Sequence, residues 1–114
     1  MEINPRYAGA YSNLGVAYYL SGDIANAIAA LKKATDIEPT LPGPFYNTAC
    51  IYGNEKKAAL AVKYLHEAVD RGFNRVEDLE RDERKGCFQA IKSDRDFLEL
   101  KRLVGARKAA LPIQ

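Results

Sequence analysis

Apolar residues recur every three or four positions in the first third of the chain, which is the spacing of one face of an α-helix. One such stripe consists of Tyr11, Leu14, Gly15 and Tyr18. A second stripe follows the turn signal Ser21-Gly22-Asp23 and consists of Ile24, Ala27, Ile28, Leu31, Ala34 and Ile37. Pro39 ends the second stripe, because proline cannot continue a helix. The pattern therefore predicts two helices joined by a short turn.

The same pattern appears again in the next stretch of the chain. Leu41-Pro42-Gly43-Pro44 predicts a stiff turn into a helix, since proline is suited to the first helical turn. The two stripes that follow are Phe45, Thr48, Ala49 and Tyr52, and then Leu60, Ala61, Tyr64, Leu65 and Ala68. We expect the break between these helices at Gly53-Asn54, one turn earlier than in the first unit. The second helix should end near Arg71-Gly72.

Equivalent positions of the two units are 34 residues apart. The matching pairs are Pro5 with Pro39, Tyr11 with Phe45, Gly15 with Ala49, Tyr18 with Tyr52, Ala27 with Ala61, Leu31 with Leu65, and Ala34 with Ala68. So many coincidences in one register indicate an internal repeat. The small residues Gly15 and Ala27 mark where two helices could approach closely, with Tyr18 and Leu31 filling the adjoining space.

These residues resemble the tetratricopeptide repeat, a helix–turn–helix unit of about 34 residues with the pattern W-x2-L-G-x2-Y…A-x3-F…P. The first unit has Tyr11-x2-Leu14-Gly15-x2-Tyr18…Ala27-x3-Leu31…Ala34…Pro39. The second unit departs from the pattern at Thr48 and at Gly72-Phe73, where the terminal proline would be. The resemblance implies an all-α fold: an α-solenoid of antiparallel helix pairs, a tetratricopeptide-like superhelix, with C-terminal capping helices.

The last third of the chain departs from the repeat. Asn74-x-x-Glu77 resembles a capping box that opens a short helix with Val76 and Leu79 facing inward. Ser93-x-x-Asp96 is expected to open a final helix with the stripe Phe97, Leu100, Leu103 and Val104, and a further apolar set before it is Cys87, Phe88 and Ile91. Gly72-Phe73 followed by Ile91-x2-Asp94-x2-Phe97 is similar to the segment that closes many bacterial tetratricopeptide proteins, which implies a terminal cap.

We divide the chain into four segments: residues 1–7 as the tail of a preceding repeat or an N-terminal extension, 8–41 as the first repeat, 42–75 as the second, and 76–111 as a helical cap. Ile3-Asn4-Pro5 matches the end of the first unit, which favours a piece of a longer array. A missing neighbour would leave apolar surface uncovered. We therefore expect self-association through an edge formed by Tyr7, Tyr11 and Tyr18.

Composition narrows the class of protein. Hydrophobic residues make up 47% of the 114 residues and charged residues 28%, which is too apolar for a disordered chain. A net charge of +2 gives no bias toward nucleic acid or an anionic membrane. No basic start with an apolar run resembles a secretory signal, and no run approaches the ~20 residues of a membrane span. We expect a cytoplasmic protein that binds neither nucleic acid nor membrane.

Candidate chemistry is sparse. Cys50 and Cys87 lie far apart and outside any Cys-x-x-Cys pair, so we interpret them as free thiols in a reducing compartment, with a disulfide or metal site as the alternatives. His66 is the single histidine, too few ligands for a metal cluster. Acidic and basic residues alternate between positions 75 and 85, which is typical of a solvated surface. We predict no catalytic, cofactor or metal site, and hence no enzyme.

The family resemblance implies a concave groove, lined by the first helix of each repeat, that receives an extended peptide or a partner helix. The matching positions are Ser12, Asn13, Val16, Tyr19 and Leu20 in the first unit and Tyr46, Asn47, Cys50 and Asn54 in the second. Asn13 and Asn47 carry amides suited to a peptide backbone, and Tyr19 and Tyr46 offer aromatic faces. The alternative is that these residues are merely exposed on their helices.

Three functions fit this sequence. The first is a protein–protein interaction module whose partner, a protein or a peptide, is unidentified. The second is a structural module that assembles with itself or with upstream repeats. The third is an accessory segment of a larger enzyme. A clamp for a C-terminal carboxylate is disfavoured, because Ser12 and Val16 stand where such relatives carry a basic residue and an asparagine.

Overall fold

The computed structural model describes residues 7–110, with side chains described through Arg107. The helices are α1 (Ala8–Leu20), α2 (Ile24–Ile37), α3 (Pro42–Asn54), α4 (Ala58–Asp70), α5 (Val76–Lys85) and α6 (Arg95–Ala110), with a 3-10 turn at Gln89–Ile91. Residues 7–110 contain no strand, and consecutive helices pack in pairs. The prediction of an all-α solenoid of helix pairs is confirmed. Ile3-Asn4-Pro5, the expected tail of a preceding repeat, lies outside the described residues.

The first helix pair packs through a glycine. A Cβ atom added at Gly15 would lie 2.8 Å from Cγ of Leu31 and 3.1 Å from the carbonyl oxygen of Ala27. Such contacts are too short for any side chain, so α1 and α2 approach closely only because position 15 has none. Ala27 and Leu31 are fully buried at this crossing, and Tyr18 packs against them. Gly15 and Ala27 therefore mark the close approach that the repeat pattern predicts.

The turns of the two helix pairs are built alike. Gly22 and Lys56, which are 34 residues apart, both have positive φ, at 87° and 60°. The next residue in each turn donates its backbone N–H across 2.9 Å, from Asp23 to Tyr18 and from Lys57 to Tyr52. The break that we expected at Gly53-Asn54 is wrong, because α3 continues through Asn54. Gly53 is small for another reason: the cap lies against it.

The starts of the two cap helices differ from the expected caps by one residue. Arg75 is the N-cap of α5, and its side chain makes no capping hydrogen bond, so the predicted start at Asn74 is wrong. Asp94 begins α6, because its Oδ1 accepts hydrogen bonds from the backbone N–H groups of Asp96 at 2.9 Å and Phe97 at 3.1 Å. The negative charge of a carboxylate at this position also interacts favourably with the positive end of the helix dipole. This explains why Asp94, and not the expected Ser93, caps the helix.

The main hydrophobic core lies between the second helix pair and the cap. Its largest fully buried side chains are Phe88, Phe97, Leu65, Leu79, Val69 and Val104. The ring of Phe88 lies 5.5 Å from that of Tyr46 and 5.6 Å from that of Phe97, measured between centroids. Arg107 also ties α6 to α4 by donating to the carbonyl oxygen of Val69. The cap thus covers the outer face of α3 and α4 as a third layer.

A disulfide bond joins Cys50 on α3 to Cys87 in the segment after α5, with Cα atoms 5.0 Å apart. The interpretation of both cysteines as free thiols is wrong. The two residues are 37 positions apart in sequence, and only the packing of the cap against α3 brings them together. No spacing rule contains that information, because the pairing depends on tertiary contacts.

Candidate functional site

A small hollow lies between α1 and α3, on the surface where the groove was predicted. It has a volume of about 120 Å³ and is lined by Val16, Tyr19, Asn47, Cys50 and Ile51. Four of these residues were predicted from the repeat register, whereas Ile51 was not. Ile51 is also part of the core between the helix pairs, and it lies outside the apolar stripe predicted for this helix. The lining carries no charged side chain.

An amide closes one side of the hollow. The side-chain N–H of Asn47 on α3 donates to the hydroxyl oxygen of Ser12 on α1 across 3.2 Å. This hydrogen bond links the first helices of the two pairs and leaves Ser12 buried behind the surface. An asparagine amide has two N–H donors and one oxygen acceptor, so Asn47 retains hydrogen-bonding capacity beyond the Ser12 contact.

Tyr46, like Ser12, is a predicted groove residue that is buried in the structure. Its side chain is only 9% exposed, stacks on Phe73 with ring centroids 4.5 Å apart, and contacts Phe88 edge to face. Its hydroxyl donates to Asp82 on α5. The cap covers the position that would face the groove in a longer array. Replacing Tyr46 by alanine should therefore disturb the packing of the cap on α3.

The Tyr46–Asp82 contact is a buried polar link between α3 and α5. Burial and the hydrogen bond to Asp82 both raise the pKa of the Tyr46 phenol, with burial as the larger cause. Arg81 supports the carboxylate from the surface, with its Nε 3.1 Å from Asp82. The phenol therefore remains a neutral hydrogen-bond donor, and the buried Asp82 side chain accepts hydrogen bonds from both Tyr46 and Arg81.

The remaining groove candidates lie outside the hollow. Asn13, Leu20 and Asn54 are exposed, with Leu20 the most exposed large apolar residue at 80%. Leu20 and Asn54 end α1 and α3, so they extend the same surface toward the hairpin turns. The predicted set thus separates into residues at the hollow, residues beside it, and the core residue Tyr46.

Cys50 lines the hollow, but it carries no free thiol. The ligand atoms of Cys50, Cys87 and Asp82 lie within 4.8 Å of one another, a spacing that could hold a metal ion if the sulfurs were free. Both sulfur atoms are bonded to each other, however, and Asp82 accepts from Tyr46. In this state the three residues form a covalent and hydrogen-bonded connection between groove and cap.

The tyrosine edge of α1 is only partly exposed. Tyr7 is 61% exposed, whereas Tyr11 and Tyr18 are half-buried. A clearer difference in burial between α1 and α3 appears on a neighbouring face of these helices. Pro44, Thr48 and Ile51 of α3 are buried, while the positions 34 residues earlier, Ala10, Leu14 and Ala17, are half-buried or exposed. Helix α1 has no charged residue, so this end of the stack exposes apolar positions whose counterparts in α3 are buried.

A larger hollow of about 530 Å³ lies between α4 and α6, away from the predicted groove. Its floor is apolar, with Val62, Leu100 and Leu103, and its rim is charged. His66 lies on this rim with its Nδ1 3.0 Å from Asp70 and is exposed. His66 is thus a surface residue at the edge of this hollow.

A sequence profile described as Tetratricopeptide repeat matches residues 8–41, which contain α1, the turn at Gly22 and α2. No curated protein matches the chain. Within residues 7–110, every helix is too short or too polar to cross a membrane.

Proposed function

Residues 8–41 match the tetratricopeptide repeat family, and on that premise we propose that the chain binds an uncharged apolar segment of a partner protein in the hollow between α1 and α3. Tetratricopeptide repeats are in general protein–protein interaction modules and typically have no enzymatic activity of their own. The proposal extends this general role to a defined surface, and it includes that this chain is not an enzyme.

The observation that carries the proposal is the make-up of the hollow. Val16, Tyr19 and Ile51 offer apolar surface, and Asn47 offers an amide beside it. A volume of about 120 Å³ has room for one aliphatic side chain. An amide next to such a site can bind the backbone of the same peptide residue. This chemistry favours an extended peptide or one turn of a helix that inserts an aliphatic residue.

The lining of the hollow has no charged side chain, which disfavours partner segments that would insert a charged residue. Desolvating a charged side chain without a partner charge is costly, so acidic or basic anchor residues are disfavoured at this site. A single anchor also buries little area, and we expect a dissociation constant on the order of micromolar.

The test uses peptides selected from a random library displayed on phage against the full chain. We expect the selected peptides to share an aliphatic residue, and Val16→Glu to weaken their binding by about tenfold or more, because a carboxylate would enter an apolar site. Val16 is 37% exposed, so this change should leave the fold intact. Titration calorimetry with synthetic peptides gives the dissociation constants.

The matched control is Ala29→Glu, which adds the same charge at an exposed position of α2 outside the hollow. Its binding should remain within about twofold of the unmodified chain. Equal losses in the two variants, or peptides that bind the Val16→Glu variant as well as the parent, would place the binding surface elsewhere.

A second candidate function is self-association through the end of the stack at α1, where the sequence predicted an edge of Tyr7, Tyr11 and Tyr18. The observation that favours it is the exposure of Ala10, Leu14 and Ala17 at positions whose counterparts in α3 are buried. Helix faces that a neighbouring pair would cover in a repeat array remain apolar here. A second copy of the chain could cover them.

Sedimentation velocity across a hundredfold concentration range tests this second function. We expect a concentration-dependent dimer that Leu14→Asp abolishes, since a charge on the face would have to be desolvated. Ala25→Asp, on the exposed surface of α2, serves as the control and should leave association unchanged. A constant monomer mass for the parent chain would rule out this function and leave the hollow as the candidate.

The cytoplasmic location predicted from the sequence is also a proposal. Cytosolic disulfides are rare and are usually transient or redox-sensing. In the cytoplasm, the Cys50–Cys87 pair would therefore be reduced or would form its bond only transiently. Alkylation of free thiols at the moment of lysis, followed by mass spectrometry, measures which form the cell contains. An accessory role within a larger enzyme would require a catalytic domain outside these 114 residues.

A further inference from the structure

The Cys50–Cys87 disulfide connects the wall of the groove to the cap. Cys50 is half-buried and lines the hollow, whereas Cys87 is buried, with 3% of its surface exposed. We propose that this bond is a thiol-exchange site: a thiol that enters the hollow attacks the sulfur of Cys50, and opening of the bond releases helix α5 from α3. The proposal rests on the proposed function only where it concerns partner binding.

Access determines which sulfur is attacked. A thiolate must approach a disulfide sulfur directly, and the lining of the hollow provides an opening to Cys50. Cys87 is enclosed by the packing of the cap, and its backbone carbonyl lies against Gly53 of α3. The same bond therefore joins a half-buried cysteine at the hollow to a buried cysteine under the cap.

The reductant that the proposal requires is a thiol, such as a cellular monothiol or dithiol. Its thiolate forms a bond to the sulfur of Cys50, the Cys50–Cys87 bond breaks, and Cys87 leaves with the electron pair as a thiolate that takes up a proton. A second thiol then attacks the reductant sulfur of the mixed disulfide and releases Cys50. The reductant ends as a disulfide, and two electrons have passed to the two cysteines.

Helix α5 is the element whose position depends most on this bond. Eight of its ten residues are charged, and its apolar residues are Val76 and Leu79 alone. Leu79 is fully buried in the core and Glu83 pairs with Lys101 of α6 at 2.8 Å, so α5 also has contacts with the rest of the cap. Its specific links toward α3 include the hydrogen bond between Tyr46 and Asp82 and the disulfide that follows the helix. Removing the covalent link should therefore loosen α5 before the rest of the fold.

The charged side chains beside the Cys50–Cys87 disulfide slow its reaction with a thiol without preventing it. The Asp82 carboxylate lies within 4.8 Å of both sulfurs and opposes a thiolate at Cys87. Arg81, with its Nε 3.1 Å from the same carboxylate, offsets part of this charge. We expect reduction by an uncatalysed monothiol to take minutes to hours.

The first experiment treats the full oxidised chain with reduced glutathione, quenches it in acid and maps the mixed disulfide by mass spectrometry. We expect the early adduct on Cys50, in about tenfold or greater excess over Cys87. Val16→Glu should slow adduct formation by about three- to tenfold, because a carboxylate in the hollow repels the anionic thiol. Ala29→Glu should leave the rate unchanged. An adduct mainly on Cys87 would overturn the proposed access route.

The second experiment compares hydrogen exchange of the oxidised chain with that of the chain reduced by dithiothreitol. Opening a bond that links residues 37 positions apart changes the local opening equilibrium by on the order of a hundredfold. Exchange in α5 should rise accordingly, while the buried part of α2 keeps its protection. The Cys50→Ser/Cys87→Ser variant should exchange like the reduced chain under both conditions. Equal exchange of α5 in the oxidised and reduced chains would overturn the release of α5.

Failure of the proposed partner binding can be distinguished from failure of the thiol-exchange proposal. If the selected peptides bind neither form while the adduct and exchange data are as expected, the proposed function fails and the thiol-exchange site stands. If the peptides bind and the adduct forms on Cys87 with no change in α5, the thiol-exchange proposal alone fails.

Discussion

Replacing Phe97 by alanine should lower the free energy of unfolding by about 3–5 kcal/mol, the range for truncating a fully buried phenylalanine. Phe97 is 0% exposed, and its ring lies 5.6 Å from that of Phe88, which in turn contacts Tyr46. Truncation would therefore leave a cavity where α6, the 3-10 turn and α3 meet. Urea denaturation followed by circular dichroism measures the change.

The adjacent residue provides the control for this prediction. Leu98 lies on the same helix but is 44% exposed, so Leu98→Ala should change the free energy of unfolding by only about 0.5 kcal/mol. Both changes have similar effects on helix propensity, and the difference between them isolates burial. Similar losses for the two variants would mean that α6 is not packed against the repeats as described.

Gly53→Ala should destabilise the chain by about 3 kcal/mol, at the upper end of the range for overpacking a core. A Cβ atom at this position would overlap the backbone carbonyl of Cys87. A flexible side chain could move away from the added atom, but this carbonyl belongs to a residue held by the disulfide. The substitution should therefore displace the cap despite the better helix propensity of alanine. Denaturation under oxidising conditions measures the effect.

Gly105→Ala is the matched control, because it makes the same change within a helix where space exists. A Cβ atom at Gly105 would lie 3.9 Å from Cγ2 of Val76, an ordinary contact. This variant should gain about 0.5–1 kcal/mol from helix propensity alone. If Gly53→Ala were also neutral or stabilising, the close approach of α3 to the cap would be refuted.

Two glycines show what the sequence pattern could and could not predict about helix packing. The 34-residue register identified Gly15 as a packing position, because its counterpart Ala49 is also small and both fall on apolar stripes. The same reasoning assigned Gly53 to a turn, which was wrong. A glycine looks alike in sequence whether the chain turns there or another backbone lies against it. The register also contained the correct answer, since Lys56 is the counterpart of Gly22 in the turn.

The candidate site was predictable in outline but not in detail. The register located Val16, Tyr19, Asn47 and Cys50 on one surface, since helix periodicity places equivalent residues of neighbouring pairs side by side. The register did not reveal that Tyr46 is buried, because the third layer over α3 is a cap and not another repeat. What covers a residue depends on a segment that follows no repeat pattern, so burial of Tyr46 could not be derived from its own surroundings in sequence.

The local alternation of apolar and polar residues by itself determined the helices, their pairing and the small residues at their crossings, because these depend on neighbours within one or two turns or one repeat. The tertiary structure alone decided the contacts that join α3 to the cap: Tyr46 with Asp82, Gly53 with the carbonyl of Cys87, and the Cys50–Cys87 bond. Each of them links residues more than thirty positions apart. Such contacts follow from how whole helices pack, which no local pattern encodes.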